Sequence, residues 1–551
     1  MLKIIPLGGL GEIGLNMMVI EYEDTILVID AGIMFPEEYM LGIDIVIPDM
    51  VYLRENLNKV KGLIITHAHE DHIGAVPYFL KEIPVPVYGS EFTLKVVKNK
   101  LDSFGFFPNV SFCQVNYGDS VSIDPFKIEF ICVTHSIVGG FAMEITTPVG
   151  KIVHTGDFRM CHSAEELNPT DVSRFAKCGE KGILALLSDS TNVEKEGYTM
   201  SNQVLRENLD NYVAASEGRV IVALFASNVT RIQHLVDIAL KIGRKVVFDG
   251  RSILQTIAVA IELGYLKCPK DKILDIKEIK NIPGSQILII TTGSQGEPLS
   301  ALARMAMGQH RQVKIKRGDR VILSSKDIPG NEKSIANIIN NLYKRGADVV
   351  YNKVADVHSS GHAHQEELKL MISLTKPEYF IPIHGEYRHL VVHARLAEKL
   401  GIAKEKSLVV EDGGVIAFDE NGGRVAGRVN VGKILVDGKG IGDVGRSVLK
   451  ERHQLSEHGL VIVSMVLDEE TGDIISGPDL ISKGFVFNAA TGYLVDDAQC
   501  VILEVVEDLR QGLLVGMNTE ILRNRLTKAL KEYFSFAIKR KPMILPVITQ
   551  V

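Results

Sequence analysis

The chain has 551 residues, 46% hydrophobic and 23% charged, with a net charge of −7, which is too long for one core and has the balance of an ordinary globular protein, so three structural units are expected. No apolar run approaches the ~20 residues of a membrane span, and the start MLKIIPLGGLGEIG lacks the layout of a secretory signal. The six cysteines are scattered without a C-x-x-C pair, which fits a reducing cytoplasm and leaves His and Asp to build any metal site.

In chain order, KIIPLGG, NMMVIEY and TILVIDAG are short apolar stretches broken by Gly or charged turns, a β-meander. Gly9-x-Gly11-x-x-Gly14 matches a dinucleotide fingerprint. That motif must close a strand and open a helix, whereas a strand hairpin follows here; the glycines are expected to allow a tight turn beside an active site. KGLIITHAHEDHIGAVPYFLKEI predicts a buried strand, a polar turn and a helix, and PVPVYGS, FKIEFICVTHS, FAMEITTPVG, KIVHTGDF and GILALLSDSTN continue the strand pattern. From about 200 to 357, strand-like and helix-like segments alternate, beginning with RVIVALFAS before NVTRIQHLVDIALKIG, which predicts βαβ units and a parallel sheet. EYFIPIHGE returns to a strand with a His at its end. Residues 419–445, rich in Gly and charge, read as a connector with short strands. A third unit holds the hairpin GLVIVSMVLDEETGDIISG, helices around 498–514 and 518–538, and a last strand PMILPVI. The basic runs at 310–317 and 523–541 are read as solvated surface.

The strongest chemical signal is THAHEDH, which places His67, His69, Asp71 and His72 directly after an apolar strand. Imidazole nitrogen and carboxylate oxygen suit a borderline-soft cation such as zinc, and a strand's C-terminal edge is where open sheets expose reactive groups. The same grammar of apolar strand followed by His or Asp supplies His135, Asp157 and His384. Together they make two sites: His67, His69, His135 and Asp157 around one zinc, and Asp71, His72, Asp157 and His384 around the other, with Asp157 bridging. Asp30, ending TILVIDAG, is expected to orient a ligand or the turn.

H-x-H-x-D-H with later strand-end His, Asp and His resembles the metallo-β-lactamase fold. LLSDSTN (Asp189), HSSGHA (His358, His362) and IHGE (His384) are similar to the extra motifs of its β-CASP group. PLGGLGEIGLN, VIDAG, HTGDF, FASNVTRIQ and RKPMILPVI narrow the resemblance to the bacterial ribonuclease J family, over essentially the whole chain. One departure is HSIVGG, where the family usually has Pro-Asp after HSI. The resemblance implies an α/β architecture: a metallo-β-lactamase αββα sandwich with an inserted β-CASP α/β domain and a small α+β C-terminal domain. Its expected boundaries are 1–200 and 358–430 for the sandwich, 201–357 for the insert, 431–445 for a linker and 446–551 for the last unit, which is expected to serve oligomerisation.

Two zincs about 3.5–4 Å apart can activate one water by lowering its pKa from 15.7 toward ~7. His362, placed by the Gly361 turn and oriented by Asp189, is the candidate acid for the leaving oxygen; Asp71 completes the catalytic set. HSSGHA offers hydroxyls and N–H groups, and Ser227 and Asn228 precede a helix, so both loops suit a phosphate. By resemblance, Ser227, Asn228, His358, Ser359, Ser360, Gly361 and His362 hold the 5′-monophosphate of single-stranded RNA. The implied activity is a cytoplasmic 5′-to-3′ exonuclease and endonuclease of RNA maturation and decay. It would carry two Zn2+, with Mn2+ or Mg2+ able to serve in assay, form a homodimer or homotetramer, meet RNA-decay partner proteins and touch no membrane. Leu41, Ile43 and Asp437 resemble places where some members hold a structural Ca2+. The competing functions are a β-CASP DNA nuclease, which His384 disfavours by resemblance, a small-molecule metallo-hydrolase, which the insert and HSSGHA disfavour, and a non-catalytic RNA-binding scaffold, which the intact ligand set disfavours.

Overall fold

The computed structural model describes residues 1–106, 109–160, 168–326, 331–438, 440–485, 493–511 and 518–551. The chain divides into two compact units, Met1–Met34 with Ile47–Lys433, and Phe35–Val46 with Ile434–Val551.

In the first unit, alternating apolar residues build two facing sheets. One runs in the order Gly422–Arg428, Gly414–Asp419, Leu2–Gly8, Met17–Tyr22, Thr25–Ile29, Val60–Ile64, Val87–Gly89, Phe112–Gln114. The other runs Pro377–Ile383, Ile183–Asp189, Lys151–His154, Phe141–Thr146, Phe126–Cys132, Ser120–Ile123. Side chains two apart share a face, so Ile20, Leu27 and Ile29 of the first sheet meet Ile128, Phe130, Met143 and Ile145 of the second in one dry layer. The other face of the second sheet, with Ile131, Ala142, Val153 and Leu186, is covered by the helices Val172–Glu180 and Gln365–Thr375, which supply Phe175, Leu368 and Met371. Helix Glu91–Phe104 lies against the strands Val87–Gly89 and Phe112–Gln114 of the first sheet. It is started by the Ser90 cap, ended by Gly105 in the left-handed region, and buries Phe92, Val97 and Leu101 at helical spacing. This is the αββα sandwich that the resemblance implies.

The alternating segment after residue 200 forms a parallel sheet in the order Ile273–Leu274, Lys245–Asp249, Ile287–Thr291, Val220–Ala223, Arg320–Leu323, Asp348–Tyr351. Strands covered on both faces read as continuous apolar runs, as ILIIT and VIVA do. The first strand in sequence, Val220–Ala223, sits inside the sheet: the chain leaves it to one side and later returns to the other. Such a reversal opens a crevice at the carboxyl ends of the strands.

In the second unit, a sheet in the order Ile474–Lys483, Leu460–Leu467, Met543–Gln550 packs Val461, Val463 and Met465 against the helices Tyr493–Gln511 and Thr519–Ile538. The first of these helices begins five residues before the expected 498, and the expected 512–514 lie outside the described residues. Helix Arg446–His458 was not foreseen; it buries no residue and so carries no apolar stripe to read. The expected Ca2+ turn has another occupant. The Arg452 guanidinium donates to the Leu41 carbonyl (3.0 Å) and to the Asp437 carboxylate (2.5 Å), while the Ile43 amide donates to Met40 (3.2 Å). The Arg452 guanidinium thus serves the Leu41 and Asp437 oxygens. Among the described residues no helix is long and apolar enough to cross a membrane.

Candidate active site

Three neighbouring parallel strands, Lys151–His154, Ile183–Asp189 and Pro377–Ile383, end on one edge and deliver Asp157, Asp189 and His384 there. In the facing sheet, Thr25–Ile29 and Val60–Ile64 run parallel and deliver Asp30 and the segment Thr66–His69. Asp71 and His72 follow on the short helix Glu70–Ile73, and His135 follows strand Phe126–Cys132. The two sheets therefore pool their carboxyl edges. Asp30 (φ 63°) and His384 (φ 54°) both sit in the left-handed region, a conformation uncommon outside Gly that recurs at functional turns. The glycine-rich turn lies alongside, as expected: Asn16 Nδ2 donates to the Asp71 carbonyl (3.0 Å) and lies 3.2 Å from His72 Nε2. The chain then continues into strand Met17–Tyr22 rather than a helix.

The seven expected ligands converge as two groups sharing Asp157, with the ligand atoms of each within 4.8 Å of one another. His69 Nδ1 lies 3.0 Å from His67 Nε2 and 3.1 Å from His135 Nε2. Asp157 Oδ2 lies 3.6 Å from His67 Nε2, 3.8 Å from His135 Nε2, 3.2 Å from His72 Nε2 and 3.6 Å from His384 Nε2. Asp71 Oδ2 lies 3.6 Å from His72 Nε2 and 3.4 Å from His384 Nε2. Bonds of ~2.0–2.1 Å to a tetrahedral ion separate its ligands by about 3.3 Å, so both groups fit a metal.

The outward ring nitrogens fix the tautomers. Asp30 accepts from His72 Nδ1 (2.7 Å) and from the Thr66 hydroxyl (2.8 Å), which in turn accepts from His67 Nδ1 (3.0 Å). Asp189 accepts from the Thr191 hydroxyl (2.7 Å), which accepts from His384 Nδ1 (2.7 Å). The Gly361 carbonyl accepts from His135 Nδ1 (2.9 Å), and Ser227 Oγ lies 3.0 Å from His69 Nε2. A proton held on the outer nitrogen leaves the inner one with a lone pair, which is the form that binds metal. Asp30 thus orients His72 directly and His67 through Thr66.

The two groups differ in charge. Burial first, and neighbouring imidazoles second, hold His67 and His135 well below the usual range, and burial pushes His69 down to about 4. At the other group burial is again the largest influence and opposes charge, but the carboxylates together outweigh it, Asp157 foremost with Asp71 and Asp30 at His72 and with Asp71 and Asp189 at His384, holding His72 well above the usual range and pushing His384 up to about 9. Burial is the largest influence on Asp157 and raises it, but the surrounding imidazoles, His384, His72, His67 and His362, together outweigh it and hold the carboxyl well below the usual range.

His362 Nδ1 donates to Asp189 (2.8 Å) and lies 4.0 Å from Asp157. Burial lowers its pKa, yet the Asp189 and Asp157 carboxylates raise it above the ordinary value. Asp189, His362, Asp157 and His384 also cluster tightly enough to count as a third ligand-rich group.

The expected phosphate loops meet beside this centre, but several of their hydroxyls have internal duties. Ser227 faces His69, the Ser359 hydroxyl donates to the Met200 carbonyl (2.8 Å), and Ser360 Oγ accepts from Asn192 (2.7 Å). Asn192 also donates to the His362 carbonyl (3.0 Å), so it ties the two residues together. Asn228 caps helix Val229–Lys241, accepting from the Arg231 amide (3.0 Å). Arg231 is buried and donates to Ser324, to the Ser359 carbonyl (3.2 Å) and toward His358 Nδ1 (3.2 Å). Its Nε has no partner among the described residues. The HSIVGG loop keeps a hand in the site: Ser136 Oγ lies 3.3 Å from His135 Nε2 and 3.4 Å from His69 Nε2. Thr66, Thr191, Asn192 and Arg231 carry no signal of their own in the sequence, although all four lie inside the motifs THAHEDH, LLSDSTN and FASNVTRIQ.

Four family descriptions match successive parts of the chain: metallo-beta-lactamase superfamily at 10–167, ribonuclease J beta-CASP domain at 217–342, Zn-dependent metallo-hydrolase RNA specificity domain at 346–407, and ribonuclease J C-terminal domain at 447–551. The chain is 42% identical to ribonuclease J 1 of Streptococcus pyogenes over 545 residues, covering 99% of this chain and 97% of that one. It is 42% identical to ribonuclease J of Synechocystis over 551 residues (99% and 86%) and 41% identical to ribonuclease J 2 of Staphylococcus aureus over 552 residues (100% and 98%). A solved protein of unknown function from Enterococcus faecalis V583 shares the fold, with a TM-score of 0.54 at 18% identity over 75% of this chain and 99% of that one.

Proposed function

This chain belongs to the ribonuclease J family, and on that premise we propose that it hydrolyses RNA at a two-zinc centre, as a 5′-to-3′ exonuclease and an endonuclease favouring 5′-monophosphate ends. The observation that carries the metal count is the convergence of five imidazole lone pairs and two carboxylates into two tetrahedron-sized groups, each ring held by an outer hydrogen bond. A metal pair bound there supplies Lewis acidity, lowering the pKa of a water toward ~7 and offsetting charge on the phosphate. The chain's own residues do the rest. Asp30, Thr66, Thr191 and Gly361 hold the rings in the ligating tautomer. Asp189 keeps the Nδ1 proton of His362, so the protonated imidazole can give its Nε2 proton to the leaving 3′ oxygen. Arg231, the Asn228 helix start and the 358–361 loop hold a phosphate beside His69, so a terminal phosphate sets the register of the cut without base readout.

In this reading the protein works in the cytoplasm in RNA maturation and decay, as a homodimer or homotetramer assembled through residues 446–551, with RNA-decay partner proteins. The sandwich comprises 1–200 and 358–430, the insert 201–357 and the linker 431–445. The test is one end-labelled sequence carrying a 5′-monophosphate, 5′-triphosphate or 5′-hydroxyl, beside its DNA counterpart, with metal content measured on the same sample. The reading expects two ions per chain, mononucleotide release fastest from the monophosphate RNA, and little cutting of DNA. Equal rates on the three RNA ends would remove the terminal-phosphate ruler, and equal cutting of DNA would move the chain to the DNA nucleases.

A further inference from the structure

The basic run at 523–541 does more than face water. Helix Thr519–Ile538 turns Leu522, Leu526, Leu530 and Phe534 into the core of its unit, a row at i, i+4 spacing. The opposite side carries the row Asn524, Lys528, Glu532 and Phe536, with Lys531 and Ser535 beside it, and these line one open groove of about 740 Å³. From Asn524 to Phe536 the row spans ~18 Å at a rise of ~1.5 Å per residue. The helix ends at Lys539 in the left-handed region (φ 53°), and the chain beyond it brings Lys541 to the same groove. The Lys541 carbonyl accepts from Gln454 Nε2 (3.2 Å), which fixes that return.

Two features of the groove ask for a partner. Phe536 is 90% exposed, so a whole phenyl ring stands in water, and a partner that covered it would recover the cost. The three lysines face a single carboxylate, Glu532, although the chain as a whole has a net charge of −7. Among the described residues none of the three ammonium groups is engaged in an ion pair, even though Lys528 and Glu532 stand at the i, i+4 spacing where such pairs form. A protein partner is the poorer fit: Phe536 is the only apolar side chain among the lining residues, whereas the centre of a protein interface is apolar and depleted in lysine. One bare ring set among cations, with amide and hydroxyl groups alongside, has the composition of a single-strand nucleic-acid groove, where bases stack on the ring and ammonium groups follow the phosphates.

We propose that this groove holds a single-stranded stretch of RNA, with Phe536 stacked on a base and Lys528, Lys531 and Lys541 on the phosphates. It rests on the ribonuclease reading above, which makes RNA the substrate. The groove shares no residue with the metal centre, so it is a second hold on the same RNA. Its length takes about five stacked nucleotides at ~3.4 Å each. Long RNA can use both holds and a short fragment only one, which favours long substrates over the last few nucleotides.

The experiment measures KM and kcat of full-length, metal-loaded enzyme on 5′-monophosphate oligouridylates of about 30 and about 4 nucleotides, the shorter being unable to fill the groove and the metal centre together. Phe536→Ala should raise KM on the long RNA by about 5- to 150-fold, the worth of one stacked base, and leave KM and kcat on the short RNA unchanged. Phe536→Tyr should retain the wild-type KM and Phe536→Leu should not, because stacking needs a ring and hydrophobic cover does not. Lys528→Gln and Lys531→Gln should each lower the slope of log KM against log salt by about 0.7 on the long RNA alone. An unchanged KM or salt slope on the long RNA, or equal changes on both lengths, overturns the groove. So does a Phe536→Leu enzyme that matches wild type, or a Phe536→Ala enzyme of altered mass in light scattering, either of which gives the site to a second copy of the chain. If wild-type enzyme cuts neither RNA, the underlying reading fails instead.

Discussion

Asp30→Asn tests how the metal centre is held. Asp30 is buried and sits at φ 63°, a conformation that Asn tolerates as well as Asp does, so the backbone turn should survive. One oxygen can still accept from the Thr66 amide, as Asp30 Oδ1 now does at 2.7 Å. The other becomes an NH2 facing His72 Nδ1 and the Thr66 hydroxyl, which today donate to Asp30 at 2.7 and 2.8 Å. Two donors then confront one another. His72 answers by moving its proton to Nε2, the atom 3.2 Å from Asp157, and so loses the lone pair that a metal needs. His67 loses its support too, because its Nδ1 leans on the same Thr66 hydroxyl. Removing one such outer partner lowers metal affinity by about 10–100-fold, or roughly 1.4–2.7 kcal/mol. Since Asp30 reaches one histidine of each group, both sites should weaken, the one containing His72 by more. The assay is competition with a chromophoric chelator, with metal counted on the same samples; Thr66→Ala should weaken mainly the His67 site. An Asp30→Asn protein that keeps both ions at wild-type affinity would refute the relay.

Three further outcomes are expected. His362→Gln should lower turnover by about 10²–10⁴ with both metals retained, and metal loss in that variant would instead make His362 a ligand. In metal-free protein His72 is held above its ordinary value and His384 pushed up to about 9, while His69 stands at about 4 and His67 and His135 are held low; protons therefore compete with metal only at the second group. Its affinity should rise with pH up to about 9, with protons released on loading, while the first group stays level; a potentiometric titration that finds the two sites falling together on acidification contradicts this. Asp412, half-buried beside Glu12, has its carboxyl pushed up from 3.8 to about 8 by loss of water and by the Glu12 carboxylate, so the fold holds a proton that the unfolded chain has released; stability from this group is present at low pH and is lost as pH rises through about 8. Asp412→Asn should raise the melting temperature at pH 8–9 relative to wild type more than at pH 5, and a uniform shift across that range would show that the proton is not the cause.

The ligands were legible in the sequence because metal chemistry restricts residue type, and because a strand's end leaves a plain mark: an apolar run that stops at His or Asp. THAHEDH, His135, Asp157 and His384 could be read that way, and so could the parallel sheet after residue 200, whose doubly covered strands are unbroken apolar runs. Helix Arg446–His458 could not, since it buries nothing and leaves no period. The supports were hidden for a different reason. A threonine is an ordinary residue until the fold sets Thr66 between Asp30 and His67, or Thr191 between Asp189 and His384. Ser359 and Ser360 looked like free phosphate donors, and only packing revealed that Met200 and Asn192 already engage them. Arg231 reads as one more charge on an amphipathic helix until burial takes away its water and leaves it neutral acceptors. Sequence thus determined which chemistry the chain carries, because ligand identity and strand pattern are local. Which proton sits on which nitrogen, and which acceptors a buried cation meets, were decided by tertiary structure, because both depend on partners distant in the chain, as Asp71 and His384 are at 313 positions apart.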